Sequence, residues 1–116
     1  MVVQGIKIDL PGLVAVAVVD VNSGLMLAAH SNSASIDPEV AAAYNTEVVR
    51  QKQKALAALA LEEEQIDEIL ISLRHQLHLI KLADAGSTFV YLIVKSDETS
   101  LAVARDVMRT QALLLR

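Results

Sequence analysis

The stretch Thr88–Lys95 constrains the fold of this chain more than any other part of the sequence. Its side chains are apolar on both alternating faces, and in a strand these faces point in opposite directions. Phe89, Tyr91 and Ile93 form one face, and Val90, Leu92 and Val94 form the other. A run this short, with Gly86 before it and Asp97 after it, is typical of a strand covered on both sides. We therefore expect a sheet with helices or a partner on each face.

A second apolar strand is predicted for residues 13–19, ahead of a hairpin turn. The turn contains Asn22 and Ser23, and Gly24 is expected to take a left-handed conformation before the chain returns as a strand over residues 25–29. The first strand is expected to place Val14, Val16 and Val18 on one face and Ala15 and Ala17 on the other. The two alanines are small enough to let a helix approach the sheet closely.

Two helices are predicted from capping signals and apolar spacing. Asp37 and Pro38 suit the cap and first turn of a helix that runs to about Ala60. Ser96 or Asp97 is expected to cap a second helix over residues 98–115. The first helix carries the stripe Val40, Tyr44, Val48, Ala55 and Leu59, with Tyr44 expected in the core, and the second carries Leu101, Ala104, Met108, Ala112 and Leu115.

Further strands are predicted for residues 66–74 and 77–82, followed by a turn over residues 84–87 into Thr88–Lys95. The order is therefore β-β-α-β-β-β-α. It predicts one α+β domain over residues 1–116, a five-stranded antiparallel sheet with helices on its faces. The two most apolar strands are expected side by side in the middle. A short strand is considered for Ile6 to Ile8, before Pro11 breaks the chain.

Composition narrows the class of function. The chain has 116 residues, no cysteine and a formal net charge of -4. It therefore offers no disulfide framework or thiol chemistry, and no basic surface for nucleic acid. Since no apolar run approaches the roughly 20 residues of a membrane span, and the first residues lack the pattern of a secretory leader, we expect a cytoplasmic protein. The 53% of hydrophobic residues indicates either an Ala-rich helix or a surface buried against a partner.

Side chains that could carry chemistry do not form a catalytic pattern. His75 and His78 are three residues apart, so on one strand they point to opposite faces and cannot share a metal unless they lie in the turn. His30 is followed by several serines, yet no nucleophile elbow is present and a linker role is favoured. There is no phosphate-binding glycine loop. We expect no enzyme activity, no metal and no cofactor.

Two clusters of charge have more than one interpretation. The acidic cluster of Glu62, Glu63, Glu64, Asp67 and Glu68 is either a solvated loop or a docking patch for a basic partner. The stripe of Arg105, Arg109 and Arg116 on the last helix is expected to be solvated surface.

Three segments resemble the roadblock/LC7 family. Residues 10–25, with Pro11, Gly12, Asp20 and Gly24, are similar to its opening hairpin, and residues 69–94 are similar to its three-strand meander. Residues 92–105 are similar to its closing strand and helix. The resemblance implies a profilin-like architecture. The family's N-terminal helix would be shortened or absent here, because a segment as short as residues 1–10 does not form a stable helix alone.

The resemblance also implies a function. Proteins of this family are expected to act as non-catalytic dimeric regulators or scaffolds that bind a small Ras-like GTPase. In the predicted strand order residues 66–74 lie at a sheet edge without proline, so Ile69, Ile71 and Leu73 are expected at a homodimer interface. Arg50, near the middle of the first helix, is a candidate partner contact. The alternative function is a sensor domain that holds a small ligand between sheet and helix.

Overall fold

The computed structural model describes residues 4–6 and 10–115, which form one sheet between two helical layers. The strands are β1 (Leu13–Asp20), β2 (Met26–Ser31), β3 (Glu68–Ser72), β4 (Gln76–Ala83) and β5 (Thr88–Lys95). The helices are α1 (Pro38–Ala58) and α2 (Leu101–Ala112), with short 3-10 turns at Asp84–Gly86 and Leu113–Leu115. The element order is the predicted one.

The sheet is antiparallel throughout and runs in the order β2-β1-β5-β4-β3. Strand β5 is central, as predicted, with Tyr91 opposite Ala17 of β1 on one side and Ile80 of β4 on the other. Every residue of β5 except Lys95 is buried, because helical layers cover both of its faces. The predicted position of the third strand at a sheet edge is also confirmed.

Each face of the sheet has its own apolar core. The face under α2 packs Val16, Val18, Leu79, Val90, Leu92 and Val94 against Ala104 and Met108, together with Ile6 and Leu10. The face under α1 packs Ala15, Ala17, Ile80, Phe89, Tyr91 and Ile93 against Ala42 and Val49. The predicted alternation of β5 is therefore confirmed, and its two faces belong to different cores.

Strand β1 departs from the predicted alternation at its first residues. Its register with β5 shifts between Leu13 and Ala15, so a bulge turns Val14 to the α1 face instead of the face shared by Val16 and Val18. Ala15 lies under α1 as expected. A simple two-residue period cannot locate such a bulge.

The predicted packing of α1 is wrong. The helix buries Ala42, Thr46 and Val49 against the sheet, whereas Tyr44, expected in the core, is 74% exposed. The physical reason is the size of the residues on the two strands nearest the helix, β1 and β2, which present Ala15, Ala17 and Ala29 to it. Small side chains of α1 pack closely against these alanines, and its larger ones stay outside.

The ends of the elements agree with the sequence at α1 and differ at α2. Asp37 caps α1 by accepting a hydrogen bond from Glu39 N at 2.9 Å. The α2 cap is Ser100, whose hydroxyl accepts from Val103 N at 3.2 Å, so the prediction of Ser96 or Asp97 is wrong. Residues 95–99 instead form a turn held by Thr99, which donates its hydroxyl to the Pro11 carbonyl.

The β1–β2 turn is as predicted, with Gly24 left-handed at φ 72°. The Asp20 carboxylate accepts hydrogen bonds from the Ser23 hydroxyl and amide, which lower its pKa. At the start of the chain, residues 4–6 are helical, so the strand considered for Ile6 is wrong there; Lys7 and Ile8 lie outside the described residues. No helix in the described ranges has the length and apolar character needed to cross a membrane.

Candidate partner surface

The outer stripe, defined here as Val40, Tyr44 and Val48 of α1 with the C-cap residue Leu59, consists of exposed apolar side chains. Val40 is 53% exposed, Tyr44 74%, Val48 39% and Leu59 65%. Val40, Tyr44 and Val48 follow one another at four-residue spacing, so they lie along one face of the helix. Since the opposite face of α1 already covers the sheet, this apolar surface has no function in the core of the described chain.

Arg50 links α1 to the turn between β1 and β2. Its guanidinium donates to the Val21 carbonyl at 2.8 and 3.1 Å and to the Asn22 carbonyl at 2.6 Å. Its Nη1 atom also lies 3.3 Å from a carboxylate oxygen of Glu47. The side chain thus clamps the helix to the β1–β2 turn. A contact between Arg50 and a partner, expected from the sequence, stays a prediction.

Strand β3 forms one edge of the sheet and carries the residues predicted at a homodimer interface. Ile71 is 39% exposed and Leu73, just past the strand, is 45% exposed. Ile69 is half-buried and packs against the core under α1. The edge therefore combines two exposed apolar side chains with one that continues the core, and its pairing with a second copy stays a prediction.

A polar pair lies between the β3 edge and α1. His78 of β4 is opposite Ile71, and its Nδ1 atom is 2.9 Å from the Tyr91 hydroxyl. Its Nε2 atom is 2.9 Å from Gln76 Oε1, which can only accept, so the neutral ring carries its hydrogen on Nε2 and accepts the Tyr91 hydrogen on Nδ1. Burial lowers the pKa of His78. Burial also raises the pKa of Tyr91, and the side chain of Asn45 on α1 acts in the opposite direction and lowers it.

The two apolar regions approach each other at a groove between α1 and β3. Lys52, one helical turn after Val48, lines this groove together with Ile69 of β3. The outer stripe and the β3 edge therefore lie near each other on this side of the molecule. We call their combination the partner surface, made of the outer stripe (Val40, Tyr44, Val48 and Leu59) with Ile71 and Leu73 at the edge.

The acidic cluster, interpreted from the sequence as either a solvated loop or a docking patch, is divided in the structure. Asp67 forms an ion pair with Lys81, and Glu68 forms one with Arg105 of α2, with Nε and Oε1 2.6 Å apart. Residues 62–64 remain exposed. The pair also ties Arg105, one member of the expected arginine stripe, to β3, with the Arg105 side chain still 40% exposed. Arg116 lies outside the described residues. What remains is a small acidic loop beside the partner surface.

The residues considered for catalysis or metal binding stay apart. His75 is exposed in the turn before β4, whereas His78 is held inside that strand, and the described residues contain no group of three metal-ligating side chains. The Ser31 hydroxyl donates to the Ser33 and Ile36 carbonyls, which is the expected linker role. His30 contacts the Asn32 side chain at 2.7 Å.

A groove of about 580 Å³ opens between the end of α1 and the start of β3. Its apolar lining includes Leu56, Leu61, Ile66 and Ile69, and its rim carries Lys52 and several carboxylates. The buried polar side chains of the described residues, such as Thr46 and Gln111, line no part of it. The groove therefore offers volume and apolar contact without buried polar groups to orient a small ligand.

Sequence reasoning missed that the outer stripe faces solvent. A second and smaller stripe on the opposite face of α1, formed by Ala42, Thr46 and Val49, was the available signal. Its small side chains match Ala15 and Ala17 on the sheet. Small residues on both sides of a contact predict a closer approach than a stripe of Val and Tyr permits.

Comparison with known proteins relates this fold to solved structures. No family model matches the sequence, and no curated protein matches it. The chain is similar to a roadblock/LC7 domain from Streptomyces avermitilis, with a TM-score of 0.79, 14% identity, and coverage of 99% of this chain and 92% of that chain. It is similar to MglB of Myxococcus xanthus, with a TM-score of 0.82, 16% identity, and coverage of 98% and 88%.

A further structure, of MglB in a tetrameric arrangement, matches with a TM-score of 0.80 and 17% identity over 98% of this chain and 82% of that one. The agreement extends over nearly the whole chain and over most of each related structure. Identities this low establish a shared architecture. The chain has the roadblock/LC7 fold.

Proposed function

We propose that this chain is a cytoplasmic homodimer that binds a small Ras-like GTPase and regulates or scaffolds it without catalytic groups of its own. The observation that carries the proposal is the outer stripe of α1, in which Tyr44 is 74% exposed on a helix whose inner face already covers the sheet. A row of apolar side chains such as Val40, Tyr44 and Val48, left uncovered by its own chain, is typical of a protein-binding site. The roadblock/LC7 resemblance supports a GTPase as the partner.

The proposed dimer uses the β3 edge, with Ile69, Ile71 and Leu73 at the interface. Ile71 and Leu73 are exposed there, and β3 contains no proline. An edge strand of this kind presents unpaired backbone groups to another chain. The tetrameric arrangement of MglB, a protein with the same fold, supports assembly through surfaces of this architecture.

The non-catalytic role is supported by the position of Arg50. An arginine that stabilises phosphoryl transfer has to place its guanidinium on the transferring phosphate. Here the guanidinium donates three hydrogen bonds to the Val21 and Asn22 carbonyls of its own chain. We propose Arg50 as a contact at the rim of the partner surface, because its side chain is still 36% exposed.

Calorimetric titration with a Ras-like GTPase encoded near this gene tests the proposal. We expect binding to at least one of the GDP and GTP-analogue forms, and at least a tenfold loss of affinity for Tyr44→Ala, because exposed tyrosines often dominate protein interfaces. Lys54→Ala is the matched control, since Lys54 is exposed on α1 outside the outer stripe. If neither form binds at about tens of micromolar, the proposal is wrong.

The small-ligand sensor is the second candidate, favoured by the groove of about 580 Å³ between α1 and β3. A sensor should show an increase in melting temperature with one member of a metabolite panel, because a ligand that binds only the folded state stabilises it. Leu56→Trp would fill the groove and abolish that increase. The same substitution should leave GTPase binding intact, which separates the two candidate functions.

A further inference from the structure

The backbone of β3 faces β4 at its odd-numbered residues. Leu73 N donates to the Gln76 carbonyl at 2.9 Å, and Leu82 N donates to the Asp67 carbonyl at 3.1 Å. In an antiparallel ladder the residues that exchange hydrogen bonds with one neighbour alternate along the strand. The odd-numbered positions from 67 to 73 therefore direct their backbone groups into the sheet.

The even-numbered residues Glu68, Leu70 and Ser72 direct their N–H and C=O groups to the free edge. Within the described ranges, no backbone hydrogen bond outside the strand ladders satisfies these groups. The edge thus presents three donors and three acceptors. A partner strand that satisfies them has to place its own outward-facing residues opposite them.

This alternation limits the registers in which a second copy can pair around a two-fold axis. Even-numbered residues have to lie opposite even-numbered residues, so the axis passes through one of the five residues Glu68–Ser72, and an axis at Ser72 would leave Glu68 and Leu70 of each copy without a partner within β3. An axis at Glu68 places two carboxylates opposite each other, which is unfavourable. An axis at Ile69 or Ile71 shifts the strands so that one outward-facing residue of each copy has no partner within β3.

We propose that two copies pair with Leu70 of each copy opposite Leu70 of the other. This inference rests on the homodimer of the proposed function and specifies its register. It is the one register that matches all five residues of Glu68–Ser72 and satisfies the three donors and three acceptors of each edge. An axis at Ile71 would place Glu68 opposite Arg74, and these opposite charges would attract each other. Arg74, however, lies in the turn between Leu73 and Gln76 and is not part of the strand.

The side chains fit the same register. On the α1 face, Ile69 lies opposite Ile71 of the second copy, so the half-buried core residue meets an exposed apolar one. On the α2 face, Glu68 lies opposite Ser72 of the second copy and keeps its ion pair with Arg105. No like charges meet across these pairs, and apolar pairs occupy three of the five positions.

A single-cysteine series reads the register directly, because the natural chain has no cysteine. Leu70→Cys places its thiol opposite its own copy, where the Cα atoms of a hydrogen-bonded pair are about 5.5 Å apart, within the range that a disulfide bridges. In this register the Cα atoms of the two Ile69→Cys positions are about 8 Å apart, and so are those of the two Ile71→Cys positions, which is too far for a bridge. A mixture of these two variants should instead cross-link to each other.

We expect Leu70→Cys to form a covalent dimer under mild oxidation faster than Ile69→Cys or Ile71→Cys alone. Faster cross-linking of either isoleucine variant with itself would overturn the proposed register. If the wild type has the mass of two chains but no variant cross-links, the interface is elsewhere and the register is wrong. A wild-type mass near 12.5 kDa would instead contradict the homodimer of the proposed function.

A spin label at exposed Ser72 tests the register without changing the packed Leu70 side chain. The two Ser72 Cα atoms should be about 14 Å apart with the axis at Leu70, about 8 Å with it at Ile71, and about 21 Å with it at Ile69. An interspin distance that fits the 14 Å backbone separation supports the proposal. A distance that fits either other separation overturns it, even if Leu70→Cys fails to fold.

Discussion

The two helices carry apolar stripes of similar spacing and use them in opposite ways. Helix α2 buries Ala104, Met108 and Ala112 against the sheet, as their spacing predicts. Helix α1 directs Tyr44 and Val48 to solvent and packs against the sheet through smaller side chains. The comparison teaches that an apolar stripe on a helix does not by itself show which face packs against the sheet. The size of the sheet residues beneath the helix also determines which face is buried.

The opposing surfaces differ in the size of their side chains. Under α2 the sheet presents Val16, Leu79 and Leu92, which need a large side chain such as Met108 to fill the space between the layers. Helix α1 lies nearest to β1 and β2, where the sheet presents Ala15 and Ala17, and a helix with small residues packs more closely there. The larger residues of α1 then remain available for a partner.

The largest expected change in stability comes from truncating a side chain in the core between α2 and the sheet. Met108→Ala removes a side chain that is 1% exposed and should lower the free energy of unfolding by about 2–5 kcal/mol, through lost burial and a new cavity. Urea denaturation at a fixed protein concentration measures it. Val103→Ala is the control on the same helix, since Val103 is 47% exposed and should change the free energy by less than about 0.5 kcal/mol. Equal losses in the two variants would contradict the buried face of α2.

A smaller effect is expected from the clamp that links α1 to the β1–β2 turn. Arg50→Ala leaves the Val21 and Asn22 carbonyls without their donor, and the partly exposed site should cost about 1–2 kcal/mol of unfolding free energy. Lys54→Ala, on the exposed side of α1, is the matched control. An unchanged urea midpoint for Arg50→Ala would show that the inner apolar contacts alone hold the helix.

The fold was predictable because its strongest signals are local. The continuous apolar run of Thr88–Lys95, the turn at Gly24 and the cap at Asp37 each specify one element through side-chain period or backbone conformation. Their order then restricts the topology, since neighbouring antiparallel strands follow from short turns. The resemblance to roadblock/LC7 proteins led to the same architecture.

The partner surface was only half predictable. The exposed edge at Ile71 followed from strand order, but the exposure of Tyr44 depends on residues of β1 that lie about 30 positions earlier in the sequence. The bulge at Val14 and the Ser100 cap depend likewise on tertiary contacts, such as the bond from Thr99 to Pro11. Patterns within one element do not contain this information.

A pH-dependent effect is expected beside the β3 edge. Burial lowers the pKa of His78 below the ordinary value of 6.5, so the unfolded chain takes up a proton more readily than the folded chain. Stability should therefore fall as the pH decreases from about 7.5 through 6.5 toward the folded-state pKa, and recover as the pH rises again.

His78→Gln should reduce this slope in urea denaturation measured across the same pH range. His75→Gln is the control, because His75 lies exposed in the turn before β4. If the slope disappears in the His75 variant and persists in the His78 variant, the assignment to the buried histidine is wrong.

The most direct test of the central claim is the stability of a triple variant of the outer stripe, with Val40→Ser, Tyr44→Ser and Val48→Ser. Valine, tyrosine and serine have similar helix propensities, so the substitutions mainly probe burial. Because all three side chains are exposed, we predict a change of less than about 1 kcal/mol in the free energy of unfolding from urea denaturation. A loss of about 4 kcal/mol or more would mean that the stripe belongs to the core, and would contradict the account.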